Sequence, residues 1–246
     1  TGIDYLGEAK GWPIHASPAG LLDLAGFPKA EYWFRKSLWN TEPFIKVYSA
    51  QASESNMDDS TKLKHNNEFS ECWNYTKDSK VELRIFTTFD SVDIFINGKR
   101  KTSGQKNPDL GYVRIFIPFE EGCLSVCAQE DSSRTCQTEL YSAGKAAVLS
   151  CSKLFDGNDD IELLKIMVLD SQSRPVVHEP VPVHIRIEGD AVLLGIENGN
   201  IADVTPYNEA YRNTHHGRLI LYVQKRGNYS VRMESEGLNS TCIQVL

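Results

Sequence analysis

The stretch Val92-Asp-Ile-Phe-Ile-Asn-Gly-Lys99 decides the class of fold. Val92, Ile94 and Ile96 recur at every second position, the period of a strand with one face buried. Asn97-Gly98 then tolerates the positive φ angles of a tight hairpin turn. Working outward, the same period governs residues 44–50, 69–75, 81–89, 112–119, 123–129 and 135–142. Together with 92–97 these predict seven short strands in roughly a hundred residues, the pattern of an antiparallel sandwich of immunoglobulin type. A second set begins near Lys145, over 147–152, 161–169, 181–188, 192–196, 218–224, 229–234 and 241–246, with Asp156-Gly-Asn158 and Asn198-Gly199 as turns. The expected class is mainly β, with two tandem immunoglobulin-like β-sandwiches at 44–144 and 145–246.

Residues 1–43 have a different texture. Three of the four tryptophans (Trp12, Trp33, Trp39) fall there. A strand over 1–8 and a turn-rich loop over 11–18 precede a helix predicted to begin at Pro28, whose fixed φ and missing N–H suit a first helical position. Ala30, Trp33, Phe34, Ser37 and Leu38 share one face of that helix, and Pro43 ends it. Strand, loop and helix make one βα unit. In a (β/α)8 barrel the strand ends and the following loops face substrate. Asp4, Glu8, Trp12 and His15 occupy such positions, although Asp4 and Glu8 also suit hydrogen bonds that merely hold a loop.

The 246 residues carry 26 Lys and Arg against 33 Asp and Glu, a net charge of −7. No basic tract offers phosphate a cationic footprint, so no nucleic-acid partner is expected. No apolar run approaches the roughly 20 residues of a membrane span, and no leader precedes Thr1, which suggests a mature or excised soluble piece. Six cysteines are too sparse for a disulfide scaffold and leave the redox compartment undecided. Cys123 and Cys127 are read as apolar filler in a strand, alternating with Leu124 and Val126.

Metal and cofactor motifs are absent or incomplete. The run 156–160 starts like a calcium loop, but Ile161 stands where glycine is needed and Met167 where a bidentate carboxylate belongs. His215-His216 is taken as an exposed loop pair, because adjacent side chains in extended backbone point apart. No nucleophile elbow, phosphate loop or dinucleotide fingerprint occurs. Three glycosylation sequons, at Asn74, Asn228 and Asn239, fall in or beside predicted strands and are read as chance. No metal, no cofactor and no catalytic residue is assigned.

Several runs resemble one family. Gly2-Ile-Asp-Tyr-Leu-Gly-Glu8, Trp12-Pro13, Gly20-Leu-Leu-Asp-Leu-Ala-Gly-Phe-Pro-Lys29 and the stretch from Tyr32 to Trp39 are similar to the closing strand, loop and last helix of the catalytic barrel in family 2 glycoside hydrolases. The nearest likeness is to bacterial β-galactosidase-like members. Val92–Lys99 and Ile117-Pro-Phe-Glu-Glu-Gly122 resemble the first immunoglobulin-like domain after that barrel. Leu194-Gly-Ile-Glu-Asn-Gly-Asn200, Gly217-Arg218 and Gly237-Leu238 resemble the last.

The resemblance implies the non-catalytic C-terminal portion of a retaining β-glycosidase, with residues 1–43 as a remnant βα unit of the TIM barrel. Retaining hydrolysis needs two carboxylates. In the family these come from barrel strands expected upstream of Thr1. Asp4, Glu8 and Trp12 then match positions that shape the pocket rim. The implied partners are a β-glycoside or oligosaccharide held by the barrel, the chain's own catalytic domain and a homo-oligomer, and the implied compartment is the periplasm or the exterior of a bacterium. One βα unit cannot close a barrel, so residues 1–40 are expected to be partly disordered, or to pack on the first sandwich or on a neighbouring molecule. Two other readings stand beside this one. In an autonomous carbohydrate-binding module Tyr207, Tyr211 or Trp73 would stack on sugars; a pair of interaction domains would have no barrel at all.

Overall fold

The computed structural model describes residues 2–52, 69–154, 160–238 and 241–245, with backbone alone for 6–10 and 241–245. The calcium-like run at 156–159, the sequon at Asn239 and the Cys242 side chain lie outside the described residues. The chain divides into two compact units, Pro28–Ser142 and Thr1–Phe27 with Ala143–Leu246. The first 43 residues are therefore shared between the units. Their regular elements are β1 (Tyr5–Gly11), β2 (Ile14–Ser17) and α1 (Ala30–Trp39). β1 and β2 pair as an antiparallel hairpin, so part of the predicted loop is itself a strand.

In Pro28–Ser142, β3 (Ile45–Gln51), β4 (Lys80–Thr87) and β7 (Val113–Pro118) form one sheet in the order β3-β4-β7. β5 (Ser91–Ile96), β6 (Lys99–Gln105), β8 (Cys123–Gln129) and β9 (Thr135–Tyr141) form the other, in the order β6-β5-β8-β9. Alternation aims Leu83, Ile85 and Ile117 from one sheet at Ile94, Ile96, Leu124 and Val126 from the other, giving a buried apolar core. Asn97 and Gly98 both have positive φ, 52° and 75°, as the hairpin predicts, but the strand that follows them is β6 rather than 112–119.

The predicted strand at 69–75 is replaced by irregular chain whose backbone pairs with the sheet through one bridge, Ser70 to Ser49. Its alternation comes from burial. Trp73 is fully buried, its indole Nε1 donates to the Glu120 carbonyl at 3.1 Å, and its own carbonyl accepts from Ser142 Oγ at 2.7 Å. Trp73 is therefore a core residue, which removes it from the aromatics available to a sugar.

The outer face of the three-stranded sheet is covered as well. Tyr48, Phe86 and Tyr112 project outward and meet Ala30, Trp33 and Phe34 of α1. The helix thus packs on the first sandwich, one of the outcomes expected for this segment. Glu82 and Arg84 share that covered face. Glu82 is fully buried and accepts from Arg84 Nε at 3.0 Å and Arg114 Nε at 2.9 Å, which satisfies a charge that would otherwise be costly to desolvate.

In the other unit, β10 (Ala146–Lys153), β11 (Ile161–Asp170), β12 (Pro182–Glu197), β13 (Tyr211–Asn213), β14 (Arg218–Glu234) and β15 (Thr241–Val245) form one continuous sheet. The sequence suggests two strands each for β12 and β14, broken at 189–191 and at 225–228. The structure runs each strand through its break. The first half of β14 pairs with β11 and the second half of β12, while its second half pairs with β15 and the first half of β12. The sheet closes over Leu149, Leu164, Ile166, Ile185, Leu221 and Met233. Among the described residues no helix is long and apolar enough to cross a membrane.

Candidate functional site

The predicted site residues lie in or beside the β1–β2 hairpin. Ahead of β1, Ile3 bridges Leu22, the Asp4 N–H donates to the Leu22 carbonyl at 2.9 Å, and Asp4 Oδ1 accepts the Gly20 N–H at 2.8 Å. Asp4 is buried by this arrangement. Glu8 lies on the backbone of β1. Trp12 sits at the turn, 82% exposed, before a cis bond to Pro13. Asp4 and Trp12 are thus at opposite ends of β1 and are not brought together.

What holds the hairpin is a set of contacts within its own unit. The His15 N–H donates to the Ile201 carbonyl at 3.0 Å. Beyond β2, Asp23 Oδ1 accepts the Phe27 N–H at 2.8 Å, closing a tight turn. Arg218 Nη2 reaches Asp23 Oδ2 at 3.6 Å, and the Arg218 guanidinium lies 4.3 Å from the Phe27 ring centre. Ala25 and Phe27 are buried with Ile220, against Leu163 and Tyr222 on the outer face of the sheet. Residues 2–27 are thus seated on the C-terminal sandwich rather than on the first one. The reason is physical: this sheet leaves an apolar outer patch that Ala25 and Phe27 fill, and an arginine that Asp23 satisfies.

The neighbouring loop is a buried polar network. Glu197 Oε1 accepts the N–H groups of Asn198 and Gly199 at 2.8 and 2.9 Å. Asn198 Nδ2 donates to Asp203 Oδ2 at 2.6 Å and to the Asn213 carbonyl at 2.8 Å. Arg212 is 1% exposed, lies 3.2 Å from Asp203 Oδ2, and donates through Nη2 to the Thr205 carbonyl at 2.5 Å. Gly199 has φ of 83°, and a Cβ added there would lie 2.6 Å from the Asp23 carboxyl. Only glycine lets this turn and Asp23 meet.

Electrostatics follow burial. Desolvation pushes Asp23 up to about 6, against the pull of Arg218 and of the Phe27 and Ala25 amides. Burial also acts to raise Asp203, but hydrogen bonds from the Thr205 hydroxyl and amide and the charge of Arg212 hold it below the usual carboxylate range.

The histidine pair departs from the reading as an exposed loop. His216 has φ of 50° and Gly217 of 70°, so the chain turns between His215 and Arg218, which exchange both backbone hydrogen bonds at 3.1 and 3.2 Å. Extended geometry is lost there, and the two rings meet with centroids 4.0 Å apart. Both rings are half-buried. Desolvation, with the charge of Arg218, pushes His215 down to about 4 and His216 down to about 3. Both are neutral at physiological pH. Among the described residues, no three His, Cys, Asp or Glu side chains gather as a metal-ligand set.

Asp4, Asp23 and Glu197 each accept backbone amide bonds, so they fix chain position. The arrangement anchors a hairpin and presents Trp12 to solvent. Sequence reasoning assigned no role to Asp23, Arg212 or Arg218. The signals within reach were the Gly217-Arg218 turn and the Asn198-Gly199 turn, whose partners are remote in the chain.

Residues 147–244 match the family described as glycoside hydrolase family 2 C-terminal domain 5. The whole chain aligns with the β-galactosidase BoGH2A of Bacteroides ovatus at 26% identity over 255 residues, covering 27% of that protein. A β-glucuronidase of Formosa agariphila is 24% identical over 187 residues, 72% of this chain and 16% of the relative. The chain thus spans about a quarter or less of the length of these curated relatives. Among solved structures, a glycosyl hydrolase family 2 member from Bacteroides cellulosilyticus superposes with a TM-score of 0.85 at 22% identity, covering all of this chain and 35% of that one. A β-glycosidase from Bacteroides vulgatus gives 0.81 at 20% identity, covering 99% and 30%. At such identities the structural likeness is one of fold. The chain resembles the C-terminal portion of family 2 glycoside hydrolases over its whole length, and its architecture is the mainly β sandwich fold of those neighbours.

Proposed function

We propose that this chain is the non-catalytic C-terminal region of a longer, bacterial, retaining β-glycosidase of the β-galactosidase-like kind. In that parent it braces the catalytic barrel and presents Trp12 at the pocket rim, with Glu8 on the same strand and the buried Asp4 holding the start of that strand in place. The observation that carries the reading is the seating of residues 2–27. The Asp23–Arg218–Phe27 contact and the His15–Ile201 hydrogen bond hold the hairpin on the sandwich, so an exposed Trp12 is offered at a fixed place. An alignment with a β-galactosidase that covers the whole chain supports the substrate class. The glycan and the catalytic carboxylates belong to the parent's barrel, and the parent works in the periplasm or outside the cell.

Hydrolysis of a panel of aryl β-glycosides, run side by side on this chain and on the complete reading frame, tests the reading. Turnover by the complete protein alone is the expected result, and the preferred glycoside names the sugar. Turnover by this chain, surviving repurification, would overturn the non-catalytic assignment.

A further inference from the structure

In the Pro28–Ser142 unit the two sheets differ on their outer faces. That of β3-β4-β7 is covered by α1 through Tyr48, Phe86 and Tyr112. That of β6-β5-β8-β9 carries exposed side chains, sorted by size from strand to strand. Leu124, Val126 and Ala128 of β8 point into the core, so Cys123, Ser125 and Cys127 point outward, and all three are small. On β5 beside them stand Asp93 and Phe95, and on β9 Gln137, Glu139 and Tyr141. Register sets these in rows: Asp93, Cys127 and Gln137; then Phe95, Ser125 and Glu139; then Cys123 and Tyr141. A strand of small residues between two strands of large ones is a trough. Ser125, midway along, is 9% exposed because its neighbours stand above it on both sides. From Cys123 to Cys127 the floor runs about 13 Å at a strand's ordinary rise, the length of roughly two or three linked pyranose rings.

The walls are set before any ligand arrives. Gln137 Nε2 donates to Ser125 Oγ at 3.1 Å and to Glu139 Oε1 at 2.8 Å. The Tyr141 hydroxyl donates to the other Glu139 oxygen and also meets the Cys123 thiol across the strand. The ring therefore lies down along the sheet and keeps one face toward solvent, at 38% exposure. On the opposite wall Arg100 Nη2 donates to Asp93 Oδ1 at 2.7 Å, beside the half-buried Phe95 ring. Gln137 spends its amide hydrogens within the wall, which leaves its amide oxygen to accept from a ligand. Arg100 and Asp93 cancel in charge, so Glu139 gives these walls one net negative charge.

Such a lining suits hydroxyls. The carboxylates and the Gln137 oxygen accept, the Arg100 guanidinium donates, and the Tyr141 and Phe95 rings offer apolar area to the flat C–H face of a sugar. A protein partner draws its affinity from a well-packed apolar centre, which two rings set among charged and amide side chains do not supply. A carboxylate or sulfate on the ligand would meet Glu139. We propose that this trough binds a short neutral oligosaccharide, stacked on Tyr141 and hydrogen-bonded along the Gln137–Glu139 wall. The choice of a glycan over another polyol rests on the glycosidase reading, whereas the length, the neutrality and the demand for hydroxyls rest on the trough alone.

Calorimetric titration of the full chain with β-1,4-galactotriose, cellotriose, xylotriose and a galacturonic acid disaccharide tests this. The expected result is saturable binding of at least one neutral trisaccharide with a Kd of about 1 mM or tighter, the acidic sugar being at least about tenfold weaker. Tyr141→Ala should weaken that binding at least about tenfold, and Gln137→Ala at least about threefold. Both side chains are exposed, so the melting temperature should hold; if it drops for Tyr141→Ala, the Gln137 variant decides. Tyr141→Phe keeps the ring and should stay within about threefold of the unaltered chain. Tyr207→Ala, on the other sandwich, should change nothing. Absence of saturable binding by all three neutral sugars up to roughly 10 mM overturns the proposal, as does equal or tighter binding of the acidic one. Affinity that survives Tyr141→Ala and Gln137→Ala, or is lost with Tyr207→Ala, places the glycan elsewhere and overturns it too. The aryl-glycoside panel is independent of these results. A parent that hydrolyses β-glycosides while the trough binds no glycan would sink this proposal alone, and an inactive parent would sink the glycosidase reading alone.

Discussion

Arg218 stands 3.6 Å from Asp23, joining a residue near the start of the chain to a hairpin of the last sandwich. Asp23 is buried, Arg218 largely so, and Phe27 lies under the guanidinium. Removing one partner leaves the other charge desolvated and uncovers the ring. Arg218→Ala is expected to destabilise the Thr1–Phe27 with Ala143–Leu246 unit by about 2–4 kcal/mol, read as a shift of its urea midpoint. Hydrogen exchange of the Phe27 amide should speed up in parallel, and unchanged exchange there would refute the role given to the contact.

Gly199→Ala attacks the same place from the other side. The new methyl would meet the Asp23 carboxyl, and the backbone would be held at positive φ. A loss of about 1–3 kcal/mol is expected, measured by thermal melting. A neutral outcome would show that Asp23 can move away without cost.

Acid should loosen the same unit, by a sum of opposing signs. His215 and His216 have folded values near 4 and 3, below the unfolded 6.5, so their contribution is complete above pH 6.5 and declines as pH falls toward 4. Asp23 has a folded value near 6, above the unfolded 3.8, so over pH 6 to 4 the folded state keeps a proton and gains stability on acidification. Two groups oppose one. Stability should fall between pH 6 and 4 with a net slope of at most about 1.4 kcal/mol per pH unit. A His215→Gln, His216→Gln double variant should reverse that slope, and urea midpoints across this window would reveal it.

Glu82 lies between Arg84 and Arg114 with no exposure to solvent. Glu82→Ala strands two guanidinium groups on a covered sheet face and should cost about 3–5 kcal/mol, seen in chemical denaturation of the Pro28–Ser142 unit. Glu82→Gln should recover part of the hydrogen bonding and none of the charge.

Trp12 separates stability from function. At 82% exposure its replacement by alanine should change the melting free energy by less than about 0.5 kcal/mol. If it forms the pocket rim of the parent, the same change should raise KM for aryl β-glycosides in the complete enzyme by about tenfold. A parent with unaltered kinetics would remove Trp12 from the rim.

The sandwich architecture was legible because apolar residues alternate wherever one face is buried, as at Val92, Ile94 and Ile96. Two kinds of element escaped that signal. Lys99-Arg-Lys-Thr-Ser-Gly-Gln105 forms β6 by pairing with β5 at the sheet edge, and an edge strand facing water needs no apolar alternation. The stretch 69–75 alternates but makes one bridge, since Trp73 is buried by packing and not by a ladder. The histidine turn needed knowledge of φ at His216, which sequence period does not carry. At the candidate site, the residues of the first strand and loop could be named, whereas the contacts that hold them could not. Asp23 and Arg218 are short polar signals whose partnership exists only once the strands between them have folded.

β12 and β14 each pass from one face of their sandwich to the other without a break in pairing. The two layers of that sandwich are therefore cut from the same pair of strands, joined at the fold by peptide bonds as well as by side-chain packing. Layers made this way resist sliding over one another, because any displacement must stretch covalent chain at the crease. A pull on the hairpin through Arg218, at the head of β14, would spread along that strand into both layers at once.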